Sequence, residues 1–334
     1  MKYRKLGKTG IKVSEIGFGC GNVGGLIIRG SYKEQHEAVQ LALDLGVNYF
    51  DTAPSYGDGR SETNLGKVLS ELEPNIILAT KVGLSLDQLD NIPEEVEKSV
   101  EASLDRLQRD NVDVLQLHSR IALTRDSPKW PRSLSIDDVL GKNGVADAFN
   151  NLREQGKTRF IGFTGLGETA ALHKVVESGR FDVVQAYFNP LNPSAGYQVS
   201  PEFSGYDFKQ LIDKASKNGM GVAAIRVMAA GALGGDVARE GYSAPVIRGS
   251  MVPGGEYERD QKRANRLHFL VHDRLRTLPQ ASLQFVLAHP GVSVALVGFS
   301  NLDQIKEAAE SIDIDPMSKT QMEKLRGLWS QDNW

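Results

Sequence analysis

The sequence predicts a (β/α)8 barrel with an N-terminal β-hairpin and long loops at its C-terminal rim. Three observations predict it. Short β-rich runs alternate with amphipathic helical stretches, the alternation repeats eight times in units of about 25 to 40 residues, and no linker or composition shift divides the 334 residues. A doubly wound sheet more often stops at five or six strands. Residues 1–334 therefore read as one barrel domain.

The elements follow in order. A hairpin over 2–13 turns at Lys8-Thr-Gly10. Strands are predicted near 14–19, 47–52, 75–81, 112–118, 158–164, 182–187, 220–226 and 293–298. Helices are predicted near 33–45, 61–72, 93–108, 144–155, 168–178, 206–218, 262–288 in two pieces, and 301–311. The third helix shows the logic. Pro93 suits a first turn, Glu94 and Glu95 favour the positive end of the helix dipole, and Val96, Val100, Leu104 and Leu107 share one face. Runs such as Ile76-Ile-Leu-Ala79 and Val112-Asp-Val-Leu-Gln-Leu117 are apolar enough to be covered by helices, as parallel strands are. Two connections exceed the usual length, 119–143 after the fourth strand and 227–261 after the seventh. Both follow strand C-termini, where barrels build their sites, so they are expected to form a substrate wall and a ligand cover.

Composition narrows the function classes. Lys plus Arg number 39 and Asp plus Glu 42, a net charge of −3, with 40% hydrophobic and 24% charged residues. This is an ordinary soluble composition without the basic footprint of a nucleic-acid or anionic-membrane binder. Cys20 is the only cysteine, which excludes an intramolecular disulfide and a cysteine-rich zinc site and suits a reducing compartment. The opening Met1-Lys-Tyr-Arg-Lys-Leu-Gly-Lys8 has no apolar run after its charges, so it does not read as a secretory signal. Arg226 interrupts the best candidate for a membrane span. A cytoplasmic location is expected, with no nucleic-acid or membrane partner.

Gly19-Cys-Gly21-Asn-Val-Gly24 matches G-x-G-x-x-G after a predicted strand. A Rossmann site needs a helix to start at those glycines, so that its N-terminus faces a pyrophosphate. The chain instead continues Gly25-Leu-Ile-Ile-Arg-Gly30-Ser, and the first credible helix starts near Tyr32 or Lys33. The segment reads as a glycine-rich loop that lets backbone approach a ligand at the barrel mouth.

The strongest signal lies at the strand ends. Val47-Asn-Tyr-Phe50 runs into Asp51, Ile76-Ile-Leu-Ala-Thr80 into Lys81, and Val114-Leu-Gln-Leu117 into His118. Three consecutive strands thus end in ionisable groups that a barrel makes neighbours at one rim. Tyr56 follows Asp51 within the turn-forming Thr52-Ala-Pro-Ser-Tyr-Gly57, which can fold its ring over the mouth. Each residue alone has an ordinary structural reading; in matched register they form a candidate site.

Tyr49-Phe-Asp-Thr-Ala-Pro-Ser-Tyr-Gly57, Ser61-Glu62 with Leu65-Gly66, Thr80-Lys81, and Asp113 with Leu117-His118 together resemble the aldo-keto reductase family, in order and spacing, over nearly the whole chain. The resemblance implies a TIM barrel binding NAD(H) or NADP(H) at its C-terminal rim without a Rossmann domain, with a catalytic tetrad of Asp51, Tyr56, Lys81 and His118. The residue types suit the chemistry. Hydride delivery to a carbonyl builds negative charge on oxygen that must be protonated. A phenol with pKa near 10 is a poor acid at neutral pH. Lys81 is expected to lower that pKa, Asp51 to hold Lys81 charged, and His118 to orient the carbonyl or share the proton transfer.

The resemblance further implies cofactor contacts at Gly21, Asn22 and Asp51. Thr164 and Gly165 stand where the family commonly has Ser-Asn, and with Gln185 they are expected to hold the nicotinamide carboxamide. Ile225 or Arg226 replaces the usual aromatic residue, and Arg226 is open to a pyrophosphate or a substrate carboxylate. Gly231 and Leu233 fit a pyrophosphate loop. Gly298, Ser300, Gln304 and Glu307 resemble the adenosine segment, with Glu307 at the adenine. NADPH-preferring members commonly place Lys or Arg around the positions that are here Gly298, Ser300 and Gln304. None is present and Lys306 lies two residues further, so NAD(H) or dual use is expected. Trp130 is either a substrate-pocket wall or a loop anchor. His268 and His272 lack the intervening carboxylate of a metal motif, so no metal is expected. Cys20 reads as a packed small residue.

The function expected is hydride transfer between a nicotinamide cofactor and a carbonyl or alcohol substrate, by a monomer or small homo-oligomer. Two alternatives stand beside it: an NAD(P)H-binding regulatory subunit of the same fold, and a Schiff-base aldolase using Lys81.

Overall fold

The computed structural model describes residues 1–234, 241–244, 251–271, 277–314, 317–331 and 334. Strands β1 (Tyr3–Lys5) and β2 (Lys12–Ser14) form an antiparallel hairpin. Eight parallel strands then close a barrel: β3 (Ile16–Gly19), β4 (Tyr49–Asp51), β5 (Ile77–Val82), β6 (Val112–Leu117), β7 (Thr158–Gly165), β8 (Val183–Tyr187), β9 (Gly221–Ile225) and β10 (Val294–Gly298). They pair in chain order, and β10 returns to β3. Among the described residues no helix is long and apolar enough to cross a membrane.

The alternation of side chains along each strand sorts them between barrel interior and helical shell. Tyr49, Ala79, Val114, Val183, Ala223, Val294 and Leu296 form the inner cluster. Leu6, Ile11 and Val13 of the hairpin join it, so the hairpin plugs one end of the barrel. Two residues further along four strands, the period of two delivers Asp51, Lys81, Gln116 and Gln185. A layer of polar groups therefore sits above an apolar interior.

The shell consists of α1 (Leu26–Arg29), α2 (Tyr32–Asp44), α3 (Arg60–Leu72), α4 (Ile92–Leu107), α5 (Ile136–Leu140), α6 (Val145–Glu154), α7 (Thr169–Glu177), α8 (Leu211–Lys217), α9 (Tyr257–Asn265), α10 (Leu278–Leu287), α11 (Leu302–Glu310) and α12 (Lys319–Trp329). Five differ from the sequence reading, among them α9, which starts at Tyr257 inside the second long connection. Helix α1 is a single turn inside the stretch read as non-helical. Helix α5 lies within the first long connection, where Ser135 and Asp138 cap it reciprocally. Helix α8 starts at Leu211, five residues later than predicted. Helix α12 was not predicted, although Ser318 and Gln321 form a capping box that signals its start.

Glycine at 66 is a packing requirement. A Cβ there would lie 2.5 Å from the Arg106 carbonyl oxygen and 2.7 Å from Leu107 Cα, where α3 crosses α4. Gly66→Val is therefore expected to cost about 1–3 kcal/mol through overpacking, read as a lower denaturant midpoint. An unchanged midpoint would show that the helices separate freely.

Candidate active site

The polar layer forms the base of a cleft of about 670 Å³. Lys81, fully buried on β5, donates to Asp51 Oδ1 at 2.5 Å, to the Thr52 carbonyl at 2.7 Å and to Tyr56 Oη at 3.2 Å. All three ammonium protons are thus used. Asp51 Oδ2 accepts from Gln185 Nε2 at 2.6 Å and Gln116 Nε2 at 3.2 Å. The His118 ring stands at 87° to the Tyr56 ring, centroids 5.6 Å apart, and Nδ1 pairs with Ser55 Oγ at 3.3 Å.

Electrostatics separates these groups. Burial lowers the Lys81 pKa, but Asp51 and Tyr56 outweigh it and keep the ammonium charged. Burial raises Asp51, while the Lys81 charge and three side-chain hydrogen bonds pull it back. Burial likewise raises Tyr56 and outweighs the downward pull of Lys81. This corrects the expected lowering: the phenol keeps its proton. Burial, then the Lys81 charge, pushes His118 down to about 3. Burial also pushes the Cys20 thiol up, leaving it inert.

The Ser61-Glu62 motif is scaffolding. Glu62, fully buried, accepts from Thr80 Oγ1 at 2.5 Å and Arg106 Nε at 2.8 Å, tying α3 to the residue before Lys81. Ser61 Oγ reaches the Cys20 carbonyl at 2.9 Å and Thr52 Oγ1 at 2.8 Å.

Of the sequence-predicted residues, Gly21, Asn22, Asp51, Tyr56, His118, Thr164, Gln185, Arg226, Gly231, Gly298, Ser300, Gln304 and Glu307 all line the cleft. Lys81 lies fully buried directly beneath the lining, hydrogen-bonded to Asp51 and Tyr56, and three others lie elsewhere. Gly165 faces the shell, where a Cβ would lie 2.8 Å from the Gln185 carbonyl and 3.1 Å from Leu211. Leu233 is fully buried in the hydrophobic core. Trp130 is a loop anchor: 1% exposed, it donates to Tyr206 Oη at 3.2 Å, with the two rings perpendicular at 5.0 Å. Gln116 was missed as a site residue, although Val114, Gln116 and His118 fall on one period of two.

The second long connection lies partly outside the described residues, 235–240 and 245–250, as does His272. Its described part bridges the cleft. Ala244 N donates to the Val23 carbonyl at 2.9 Å, Tyr242 Oη to Glu34 at 2.6 Å and Tyr242 N to the Ser300 carbonyl at 3.3 Å. Ser300 N donates to Gln304 Oε1 at 2.8 Å, Thr277 Oγ1 to Glu307 at 2.5 Å, and Lys306 pairs with Asp303 at 3.2 Å.

A parallel eight-stranded barrel thus carries at its rim a buried ammonium and carboxylate beside a part-exposed phenol and imidazole. Residues 15–330 match the family model described as Aldo/keto reductase family, and the chain belongs to that family, one of oxidoreductases. It is similar to the L-galactose dehydrogenase of Arabidopsis thaliana, 29% identical, covering 97% of this chain and 94% of that one. An aldo-keto reductase from Bacillus halodurans in its holo form superposes with a TM-score of 0.71 at 24% identity, covering 99% and 97%. An aldo/keto reductase from Klebsiella pneumoniae, described as a complex with NADP and acetate, has a TM-score of 0.69 at 20% identity over 98% and 96%.

The depressed His118 sets a pH dependence. Its pKa is near 6.5 in the unfolded chain and about 3 when folded, so its stabilisation is complete above pH 6.5 and is lost as pH falls towards 3. Urea unfolding of wild type and His118→Asn at pH 7 and pH 5 is expected to shift the stability difference towards the variant at pH 5. Identical pH dependence in both proteins would contradict a neutral His118.

Proposed function

We propose that the protein is an NAD(P)-dependent oxidoreductase that transfers a hydride between a nicotinamide cofactor and an aldehyde, ketone or sugar, with Tyr56 as general acid and base. One observation carries the reading: Lys81 Nζ, held at 2.5 Å by Asp51, lies 3.2 Å from Tyr56 Oη at the base of the cleft. An ammonium so held stabilises the phenolate left when Tyr56 gives its proton to a developing alkoxide. In the reverse direction Tyr56 takes that proton back. Neutral His118, whose Nδ1 pairs with Ser55 Oγ, orients the carbonyl oxygen through Nε2.

The cleft fits such a cofactor. Thr164 Oγ1 is buried without a hydrogen-bond partner among the described residues and neighbours Gln185 in register, a pairing suited to a carboxamide. When bound, the reduced nicotinamide supplies the hydride. Asn22 and the Gly21 backbone, the turn at Gly231, and Ser300, Gln304 and Glu307 would hold its remainder.

The same geometry disfavours the alternatives. A Schiff-base lysine needs a neutral amine and a lowered pKa, whereas Lys81 is fully buried, triply hydrogen-bonded and raised. A phenol, ammonium and carboxylate held in this order favour turnover over a purely regulatory subunit.

We favour NAD(H), or dual use. No Lys or Arg stands at Gly298, Ser300 or Gln304, and Lys306 is held by Asp303. Losing one or two charge-assisted contacts, about 1.5–3 kcal/mol each, weakens NADP preference roughly tenfold or more per contact. Fluorescence titration with both reduced cofactors checks this: NADPH binding more than about tenfold tighter than NADH would overturn it.

Tyr56→Phe removes the proton donor and keeps the ring. Turnover followed at 340 nm is expected to fall at least about a hundredfold while cofactor affinity is retained. Unchanged turnover at saturating cofactor would remove Tyr56 from the chemistry.

A further inference from the structure

A second cavity of about 670 Å³ opens in the helical shell, and it shares no lining residue with the cleft. Its walls come from residues 196–200 after β8, the start of α8, the turn after α10 and the end of α12. Its size is that of a small-molecule site. One wall is aromatic. Tyr197 stacks on Trp329, the rings 24° apart with centroids at 6.0 Å, and meets the His289 ring edge-on at 5.3 Å. Trp329 and His289 are buried and Tyr197 is partly exposed, so Tyr197 gives the cavity its flat apolar surface.

Two opposite charges line this cavity without pairing. The Arg326 guanidinium carbon lies 5.9 Å from the Tyr197 ring centroid, and among the described residues its guanidinium forms no ion pair or hydrogen bond. Asp213 Oδ1 lies 3.5 Å from His289 Nε2, on the ring that abuts Tyr197. His289 does not neutralise it. Gly291 N donates to His289 Nδ1 at 3.2 Å, so the ring proton stays on Nε2 and goes to the Gly196 carbonyl at 2.9 Å, and burial lowers the imidazole pKa. The other contact of Asp213 is Gln210 Nε2 at 3.5 Å, while neighbouring Lys214 is taken by Glu177. Two further features mark the cavity. Lys209 and Gln210 are consecutive left-handed residues, φ 48° and 57°, a costly backbone at the start of α8. Ser200 Oγ is shielded from solvent and makes no hydrogen bond among the described residues.

We propose that this cavity is a second binding site, for a small zwitterion with a flat apolar group, the chemistry of an aromatic amino acid. Its ammonium pairs with Asp213, its carboxylate with Arg326, and its ring lies on Tyr197. A guanidinium offers a carboxylate two parallel N–H donors. An ion of one sign is drawn to one of these side chains and repelled by the other, whereas a dipolar molecule gains from both. No group of the cleft takes part, so the inference does not depend on the oxidoreductase reading.

Ligand-observed NMR titration of the whole protein, with and without NADH, compares L-phenylalanine with its two one-ended analogues, 3-phenylpropionate and phenethylamine. L-Phenylalanine is expected to bind wild type about fivefold or more tighter than either analogue, whether or not NADH is present. Arg326→Gln should erase its advantage over phenethylamine, and Asp213→Asn its advantage over 3-phenylpropionate. Arg326→Lys should keep part of the first. NADH affinity should be the same in all three variants, since neither residue lines the cleft. Failure of L-phenylalanine to bind below about 10 mM overturns the inference, as does equal binding of all three probes. A preference for phenethylamine would make the cavity an amine site and overturn the zwitterion. Displacement of L-phenylalanine by NADH, with both substitutions silent, would place its binding in the cleft and overturn the second site.

Discussion

The buried pair of Lys81 and Asp51 is the constraint on which the site depends. Taking two charges out of water costs several kcal/mol per ion, and mutual attraction offsets this only when every remaining proton and lone pair is satisfied. Here the Thr52 carbonyl and Tyr56 complete the ammonium, and two amides complete the carboxylate. Removing one partner of such a pair typically costs about 3–5 kcal/mol, because the other charge stays buried alone. The barrel must therefore close with β4, β5, β6 and β8 in one register, since each contributes a member.

That register also explains the vertical order of the interior. The apolar cluster of Tyr49, Ala79, Val114 and Val183 lies one period below Asp51, Lys81, Gln116 and Gln185. Apolar packing below excludes water from the pair, and the cleft above admits ligand. The Glu62 network fixes Thr80 from the helical side, so the strand carrying Lys81 is held on both faces. Strong pairing and a perturbed phenol thus arise from the same dry floor, as at many functional sites.

Much of this was legible in the chain. Period-two and helical patterns placed eight strands within a few residues of where they lie, and the strand-end positions singled out Asp51, Lys81 and His118. Gln116 was legible in principle, since it shares the inward phase of Val114 and His118, but an amide between apolar residues carries no chemical signal of its own. Trp130 was ambiguous because loop length says nothing about which side of a loop faces the cleft; its partner Tyr206 lies 76 residues away. Gly165 falls on the outward phase of β7, against Leu211, which spacing matched to a family pattern does not reveal.

What the sequence determined by itself was therefore the barrel, its polar rim and the identity of the ionisable groups, because alternation and residue type are local properties. Tertiary structure alone decided which atoms meet and which way each proton affinity moves. Asp51 is completed by Gln116 and Gln185, 65 and 134 residues further along the chain. Tyr56 illustrates the point: its neighbour Lys81 was readable and argues for a lowered pKa, but the burial that raises it exists only once the barrel has closed and removed water.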